Sequence, residues 1–249
     1  MRLTDEVYLV GGGPSFAFGL SGDPDCHVYL INGGTELALV DCGAAEGDSF
    51  ERITATIREE GLDLDRLRYL LVTHAHIDHV GGAARFREGL GLQVLVARAA
   101  APYLRSGDEH ATSLDVAKKA GFYRADYRFA PCAVDRELVE GDRISVGDLT
   151  LDVYETPGHA DPHLSFLLAG RRRRYLFAGD AVFHGGGTLL QYTHDCSMQS
   201  SGASIEKLAG LEFDALLPGH QAITLSGGTR HVQMAATAFF QQLLPKSLV

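Results

Sequence analysis

The chain has 249 residues, of which 45% are apolar, and its 22 basic and 32 acidic residues give a formal net charge of −10. This length and apolar content are enough for a full hydrophobic core, which predicts a globular protein. The acidic balance argues against a nucleic-acid partner, and no apolar run approaches the ~20 residues of a membrane span. The N-terminus also lacks the pattern of a signal peptide, so we expect a cytoplasmic protein with no membrane partner.

The cysteines do not suggest a disulfide scaffold or a cysteine-rich zinc site. They are widely spaced and form no C-x-x-C pair. We expect all of them to be reduced and structural. They are Cys26, Cys42, Cys132 and Cys196.

The first predicted elements form a hairpin. His27 to Asn32 and Leu37 to Val40 are strand-like and flank Gly33-Gly34, and paired glycines permit the positive φ angles of a tight turn. A helix is predicted from Ser49 to Glu60, because its apolar residues recur at helical spacing. The apolar run Tyr69 to Val72 is predicted to be the next strand.

Side chains that bind metals are concentrated directly after that strand. Residues His74 to His79 read H-A-H-I-D-H, which places three imidazoles and one carboxylate at the end of a buried strand. These groups cannot all be satisfied as ordinary core residues, because an unpaired buried polar group costs about 1–3 kcal/mol. The cluster therefore predicts a metal site. Asp41, which follows the strand Leu37 to Val40, is interpreted as a buried carboxylate that orients a ligand histidine.

The second half of the chain alternates strands and helices in the same way. Strands are predicted at Leu149 to Tyr154, Leu164 to Ala169, Tyr175 to Ala178 and Ala215 to Leu217, and helices at Ala203 to Leu208 and Thr229 to Leu244. The run Arg171 to Arg174 is interpreted as the solvated turn of a hairpin, with anion steering as the alternative. Between the halves, Arg98 to Gly121 is predicted to be helical and partly exposed, and it could form a lid.

The order strand, Asp, helix, strand, His occurs twice. Asp41 is followed by His74 in the first half, and Asp180 is followed by His220 in the second. A duplication of this kind predicts one domain, residues 1–249, made of two similar halves whose sheets pack face to face with helices outside. The predicted fold class is therefore α/β, a four-layer α/β/β/α sandwich.

Three further residues occupy the same strand-end position as the first cluster. They are His159 in T-P-G-H, Asp180 in G-D and His220 in P-G-H. Each follows an apolar strand and a glycine, which lets the backbone turn sharply and direct the side chain across the edge of the sheet. We therefore expect them to complete a metal centre with the first cluster.

The order H-x-H-x-D-H, T-P-G-H, G-D and P-G-H resembles that of the metallo-β-lactamase-fold hydrolase superfamily. The resemblance runs from the His27 hairpin to His220 and implies the α/β/β/α sandwich predicted above. It also implies two metal sites that share one bridging residue. By this resemblance the first site is His74, His76 and His159, the second is Asp78, His79 and His220, and Asp180 is the bridge.

The resemblance implies a binuclear hydrolase. Imidazole and carboxylate ligands suit zinc, so two Zn²⁺ ions are expected, although Fe or Mn would accept the same set. Two such ions can share a hydroxide, the expected nucleophile, because coordination lowers the pKa of water towards about 7. Asp78 is the expected catalytic residue, which orients the hydroxide or passes a proton to the leaving group. The expected partner is a small-molecule substrate with an ester, thioester or lactone bond.

Particular members of the superfamily differ from this chain at informative positions. The β-lactam hydrolases usually have Cys, Ser or another non-bridging residue in place of Asp180. Lactonases that open acyl-homoserine lactones have a tyrosine three residues after the bridging Asp, where this chain has Phe183. The glutathione-thioester hydrolases have a longer basic C-terminal region, whereas only Arg230 and Lys246 follow His220 as cations. The RNA-processing members need a basic arm, which this sequence lacks.

Two other classes of function are alternatives. A mononuclear iron oxygenase of the same fold, acting on persulfides, would use His74, His76 or His159 with Asp180, and the intact second set of ligands argues against it. A non-catalytic or redox module would be expected to have lost ligands, and no ligand is missing from this sequence.

Several residues are candidates for the lining of the substrate pocket. His184 and His194 flank a glycine-rich loop that could contact substrate, although surface or loop roles are expected for both, and for Cys196 and His231. Core packing is expected for most of the apolar pocket candidates, which are Phe16, Phe18, Tyr103, Phe122, Phe183 and Tyr192. The C-terminal helix packs either on its own sheet or on a second copy in a homodimer.

Overall fold

The computed structural model describes residues 1–15, 17–243 and 246. Phe16, a pocket candidate, and Leu244, the predicted end of the last helix, lie outside the described residues. The chain divides into two compact units. Unit 1 is Met1–Leu138 with Val146–Asp148, and unit 2 is Val139–Ser145 with Leu149–Val249. The prediction of one domain over the whole chain stays a prediction.

Unit 1 is built on a six-stranded sheet in which the strands follow one another in chain order. These strands are β1 (Val7–Gly11), β2 (Val28–Asn32), β3 (Leu37–Val40), β4 (Leu67–Leu71), β5 (Gln93–Ala97) and β6 (Arg136–Leu138). Strands β1, β2 and β3 are antiparallel neighbours, which confirms the predicted hairpin. From β3 to β6 the pairing is parallel. The carboxyl ends of β3 and β4 therefore lie at the same edge of the sheet.

The helices of unit 1 connect its parallel strands. They are α1 (Ser49–Glu59), α2 (Ile77–Val80), α3 (Ala83–Leu90), α4 (Ala101–Ser106) and α5 (Leu114–Lys119). The predicted first helix is confirmed, and it buries Ile53 and Ile57 completely. The stretch Arg98 to Gly121 is helical as predicted, but it is divided into a short 3-10 turn, α4 and α5.

Unit 2 is built on a five-stranded sheet in the order β11-β10-β9-β8-β7. Its strands are β7 (Arg143–Val146), β8 (Leu149–Glu155), β9 (Leu164–Ala169), β10 (Arg174–Gly179) and β11 (Ala215–Pro218). Strand β9 is antiparallel to both β8 and β10, and β10 is parallel to β11. Strands β8, β10 and β11 therefore point in one direction. The run Arg171 to Arg174 is exposed at the β9–β10 turn, as predicted for a hairpin.

Two helices complete unit 2: α6 (Met198–Ala209) and α7 (Thr229–Phe240). Ile205 of α6 and Val232 of α7 are fully buried in one apolar cluster with sheet residues such as Leu216. The C-terminal helix thus packs within its own unit, while its last residue, Phe240, is 89% exposed. None of the described helices is long and apolar enough to cross a membrane.

The duplication predicted from sequence is present in the topology of each unit. In unit 1, α1 links β3 to the parallel neighbour β4. In unit 2, α6 links β10 to the parallel neighbour β11. Asp41 and Asp180 follow the first strand of each pair, and His74 and His220 follow the second.

Candidate metal centre

Unit 1 brings four of the predicted ligands together: His74, His76, Asp78 and His79. The two histidines nearest to β4 lie in the loop that follows it, and α2 carries Asp78 and His79. The ring centroids of His74 and His76 are 4.7 Å apart, and those of His74 and His79 are 4.0 Å apart. His79 is fully buried, whereas the side chain of Asp78 retains 24% exposure. The carboxylate of Asp78 therefore lies beside the buried imidazoles and is also accessible to a small molecule from solvent.

Asp41 orients this cluster, as interpreted from the sequence. Its Oδ1 accepts a hydrogen bond from the backbone N–H of Thr73 at 2.7 Å. Its Oδ2 accepts from the Thr73 hydroxyl and lies 2.8 Å from His79 Nδ1. Because a buried carboxylate accepts, His79 Nδ1 carries the proton, and Nε2 is the nitrogen with a lone pair for a metal.

His74 is oriented through the same hydroxyl. Its Nδ1 is 3.1 Å from Thr73 Oγ1, whose own proton points to Asp41. The hydroxyl oxygen therefore accepts from His74 Nδ1–H, and Nε2 is again the nitrogen with a lone pair. Asp41 and Thr73 together set the tautomers of two predicted ligands.

A second group of donor atoms in unit 1 is a poor metal site. Atoms of Cys26, Asp41 and His79 lie within 4.8 Å of one another. Both oxygens of Asp41 already accept hydrogen bonds, and the His79 nitrogen that faces it is protonated. Burial also raises the pKa of the Cys26 thiol, which disfavours the thiolate that a metal requires. The four cysteines are free thiols, as predicted.

Unit 2 brings together the other three predicted ligands. His159, Asp180 and His220 follow β8, β10 and β11, whose carboxyl ends share one edge of the sheet. Asp180 Oδ2 lies 3.6 Å from His159 Nε2 and 3.5 Å from His220 Nε2. These distances are too long for good hydrogen bonds. They are close to the separation of about 3.3 Å expected for two donors bound to one tetrahedral Zn²⁺ at about 2.0–2.1 Å.

The donor sets of the two units therefore fit divalent metal ions. The imidazoles and carboxylates are mostly buried, and in unit 2 one carboxylate oxygen faces two imidazole nitrogens at 3.5–3.6 Å, beyond hydrogen-bond distance and close to the separation of two donors on one ion. Such a set suits zinc, iron or manganese rather than calcium or magnesium, because most of its donors are imidazoles.

The position of His159 depends on Gly158 and on the start of α6. Gly158 has φ +153°, and a Cβ at this position would lie 2.6 Å from the Cα of Ser201. Its carbonyl accepts from the backbone N–H of Ser197 at 2.7 Å, which joins the loop to α6. On the other side, His159 Nδ1–H donates to the carbonyl of Leu189 at 3.0 Å. His159 Nε2 is therefore the nitrogen with a lone pair.

His163 was missed by the sequence interpretation. It is buried, and its Nε2 accepts from the backbone N–H of Asp180 at 3.1 Å. Its Nδ1–H then donates to the Thr156 hydroxyl at 2.8 Å, and that hydroxyl contacts Ser165 Oγ at 2.8 Å. His163 thus positions the backbone of the predicted bridging residue. Its only sequence signal is its place four residues after His159 in the same loop.

The predicted role of His231 needs correction. His231 was expected at the surface or in a loop, but it is buried on α7 and accepts from the backbone N–H of Gly185 at 2.9 Å. Its ring lies 4.2 Å from that of the exposed His184 between centroids, with the two planes tilted by 40°. Phe183 is fully buried in the core, in line with the core packing expected for most of the apolar pocket candidates. Tyr192, another candidate, is fully exposed.

Comparison with known proteins gives the family. A model of the metallo-beta-lactamase superfamily matches residues 21–220. This chain therefore belongs to the metallo-β-lactamase superfamily. The resemblance drawn from the four motifs is confirmed.

Relatives within this family carry hydrolase names. The chain is 34% identical over 195 residues to a hydroxyacylglutathione hydrolase of Rhodopseudomonas palustris, covering 78% of this chain and 61% of that protein. It is 27% identical over 221 residues to an atrochrysone carboxyl ACP thioesterase of Aspergillus fumigatus, covering 89% of this chain and 58% of that protein. Matches span between 54% and 62% of the length of several such relatives. The chain thus corresponds to little more than half of each.

Solved structures give the fold. A metallo-β-lactamase of Cronobacter sakazakii with a HARLDQ motif superimposes with a TM-score of 0.73 at 21% identity, covering 97% of this chain and 96% of that one. At this identity the likeness shows the fold alone. The α/β fold class predicted from the sequence is confirmed.

Proposed function

We propose that this chain is a metal-dependent hydrolase in which the ligands of the two units act as one binuclear centre. One ion would be held by His74, His76 and His159, and the other ion by Asp78, His79 and His220. Asp180 would bind both ions. The observation that carries the proposal is the set of imidazoles whose Nδ1–H groups are engaged at Asp41, Thr73 and Leu189, so that Nε2 is presented as a ligand. Zinc is the proposed metal, because imidazole dominates the set.

The proposed substrate is a small molecule with a thioester bond, and esters and lactones are the next candidates. Support for a thioester comes from the relatives, two of which are named as thioesterases. Support against a lactone comes from position 183, where a buried phenylalanine offers no hydroxyl to a substrate. A β-lactam is disfavoured because Asp180, a residue of bridging type, stands where β-lactam hydrolases usually have another residue.

Two divalent ions, when bound, would supply a Lewis acid for the scissile carbonyl and lower the pKa of water towards about 7. The residues of the chain then have separate tasks. Asp78 is partly exposed, and its Oδ2 is 3.6 Å from His79 Nε2, so its second oxygen can orient the attacking water or protonate the leaving group. Asp41 and Thr73 hold the protons of His79 and His74 on Nδ1. The Nε2 atoms of both rings thereby stay unprotonated.

The test is hydrolysis of a substrate panel by protein reconstituted with Zn²⁺. The panel is an acyl-coenzyme A, an acyl-glutathione, an aryl ester, an acyl-homoserine lactone and a β-lactam. We expect thioester cleavage that falls at least about 10³-fold in His76→Ala and Asp180→Ala, because a hydrolytic metal site needs its ligands. His110→Ala is the matched control, since this histidine is 75% exposed and is not among the predicted ligands; it should retain full activity.

Three results would contradict the proposal. The first is less than about one metal ion per chain after careful reconstitution. The second is thioester hydrolysis that is unchanged in the ligand variants. The third is an iron-loaded protein that consumes oxygen with a persulfide and hydrolyses nothing in the panel, which would favour the iron oxygenase alternative.

A further inference from the structure

The loop that follows β10 serves two predicted ligands, one at each end. It begins at Asp180, and it ends at Leu189, whose carbonyl accepts from His159 Nδ1–H at 3.0 Å. Residues 181–188 alone join the two ends. A displacement of this segment, which we call the 180–189 loop, would therefore move the predicted bridging carboxylate, the carbonyl behind His159, or both.

The middle of the 180–189 loop packs against α7. Gly186 has φ +78°, and a Cβ at this position would lie 2.8 Å from the backbone nitrogen of Ala235 and 3.0 Å from the carbonyl oxygen of His231. The loop and the helix thus meet backbone to backbone, with no space for a side chain between them. The position of the loop therefore depends on α7.

The side chain of His231 on α7 bonds directly to the loop. The backbone N–H of Gly185 donates to His231 Nδ1 at 2.9 Å. Because a backbone N–H can only donate, Nδ1 must hold its lone pair, and the neutral ring then carries its proton on Nε2. His231 is only 2% exposed, so this hydrogen bond lies away from bulk water.

A threonine hydroxyl holds the other side of the same ring. Thr224 Oγ1 lies 3.3 Å from His231 Nε2 and 2.9 Å from His184 Nδ1. The hydroxyl can accept from the first nitrogen and donate to the second, so the protons of these side chains are compatible. Thr224 comes shortly after His220 in the chain. The network therefore joins the loop after Asp180 to the segment after a third predicted ligand.

Positive charge also approaches His231. His184, on the loop, has its ring centroid 4.2 Å away, and the Nε of Arg230, on α7, lies 3.4 Å from His231 Nε2. Burial first, and then the charges of these two residues, lower the pKa of His231 below its ordinary value. The ring is therefore neutral at pH 7, and it keeps its acceptor for Gly185 until the pH falls through that lowered pKa.

We propose that His231 is a positioning residue that anchors the 180–189 loop on α7, and that protonation of its ring releases the loop at acid pH. The inference rests on the proposed metal-dependent hydrolase. A protonated Nδ1 would present an N–H to the N–H of Gly185, so two donors would meet and the hydrogen bond would be lost. Asp180 and the carbonyl of Leu189 would then lose their fixed positions, and metal would be held more weakly.

Two substitutions at position 231 test the anchor. In His231→Asn the amide oxygen stands near the position of Nδ1 and can accept from Gly185, whereas His231→Leu offers no acceptor. We expect zinc affinity at neutral pH, measured by chelator competition, to fall about 10- to 100-fold in the leucine variant and less than about threefold in the asparagine variant. Gln233→Leu, at an exposed residue of the same helix, is the matched control and should bind zinc as the wild type does.

The dependence on pH separates this role from a purely structural one. Zinc affinity falls at acid pH in any such site, because the ligands bind protons. The ratio of the wild-type affinity to that of His231→Asn cancels this common effect, since asparagine does not titrate. We expect the ratio to be constant above about pH 7 and to fall at least about threefold by about pH 5, because only the wild type loses its acceptor there. Should His231→Leu fail to fold, this ratio alone decides the matter.

Hydrogen exchange in the zinc-reconstituted protein gives a readout that does not depend on turnover. The amide of Gly185 should exchange at least about tenfold faster in His231→Leu than in the wild type, because its hydrogen bond is lost. Unchanged exchange, equal zinc affinity in the wild type and His231→Leu, or a ratio that stays constant down to about pH 5 would overturn the inference while leaving the hydrolase function standing. A wild-type protein that binds no zinc would instead remove the proposed function and this inference with it.

Discussion

Asp41 binds no metal in this account, yet it determines how two ligands present themselves. Its carboxylate accepts from Thr73 twice and from His79 Nδ1 once, and Thr73 passes the constraint to His74. The backbone of Asp41 has φ +59°, a conformation that costs energy for a residue other than glycine. Strain of this kind is retained where the position of the side chain matters.

Replacement of Asp41 by Asn tests this role. The amide can still accept from Thr73, but its NH₂ group would face His79 Nδ1–H, so two donors would meet and the imidazole would change tautomer or rotate. We expect metal affinity to fall about 10- to 100-fold, as is typical when a partner behind a ligand is lost. A competition titration with a chromophoric chelator measures it. Asp65→Asn, at an exposed carboxylate of the same unit, should leave the affinity unchanged; equal affinity in both variants would contradict the role of Asp41.

At the residue scale, the ligands could be predicted because each has a local signature. Every one follows an apolar strand, and Asp180, His159 and His220 follow a glycine as well. His163 has no such signature. Its partners, Thr156 and the backbone of Asp180, become its neighbours only when the loop after β8 folds back towards the end of β10. A contact of that kind depends on tertiary structure, and sequence spacing does not contain it.

At the scale of elements, Gly158 joins the loop of His159 to α6. The contacts at Ser201 leave no room for a side chain, since a Cβ at Gly158 would lie 2.3 Å from the hydroxyl and 2.7 Å from the backbone nitrogen of that serine. Backbone atoms at the start of a helix cannot move aside without moving the helix. The loop, the ligand and α6 are therefore expected to shift as one body.

Gly158→Ala should destabilise the fold and displace His159. We expect the free energy of unfolding to fall by about 1–3 kcal/mol from overpacking, and metal affinity to fall at least about tenfold. Gly61→Ala is the matched control, because Gly61 also has positive φ, +74°, but no atom lies within 4 Å of its would-be Cβ. That variant should lose about 1–2 kcal/mol from strain alone and keep its metal affinity. Urea denaturation and chelator competition measure both, and a similar loss of affinity in the two variants would contradict the role of the contact.

Strands and helices could be predicted from the spacing of apolar residues and from turn residues, whereas breaks within a helical stretch could not. The hairpin β2–β3, α1 and the β9–β10 turn have the residues that each structure requires. The stretch from Arg98 to Gly121 was predicted as helical without its division into α4 and α5. Gly107 ends α4 with φ +64°, and a Cβ there would meet the carbonyl of Phe129 at 2.6 Å. The break is therefore set partly by a chain segment more than twenty residues away.

At the scale of the whole molecule, the two units share one plan. In each, a strand ends in an aspartate, a helix follows, and a parallel neighbouring strand ends in a histidine. This order is visible in the sequence because the apolar runs and the polar residues after them repeat. Unit 1 contributes four predicted ligands and unit 2 contributes three, so the proposed centre requires both. The proposed small-molecule substrate and the possible homodimer stay predictions.

The central claim is that these residues hold two ions about one shared carboxylate, and anomalous diffraction from crystals of the zinc-reconstituted protein tests it most directly. Data on both sides of the zinc absorption edge should give two peaks about 3.5–4 Å apart. One peak should be bonded to His74, His76 and His159, the other to Asp78, His79 and His220, and both to Asp180. A single peak, or a pair of peaks with Asp180 bonded to neither, would contradict the account.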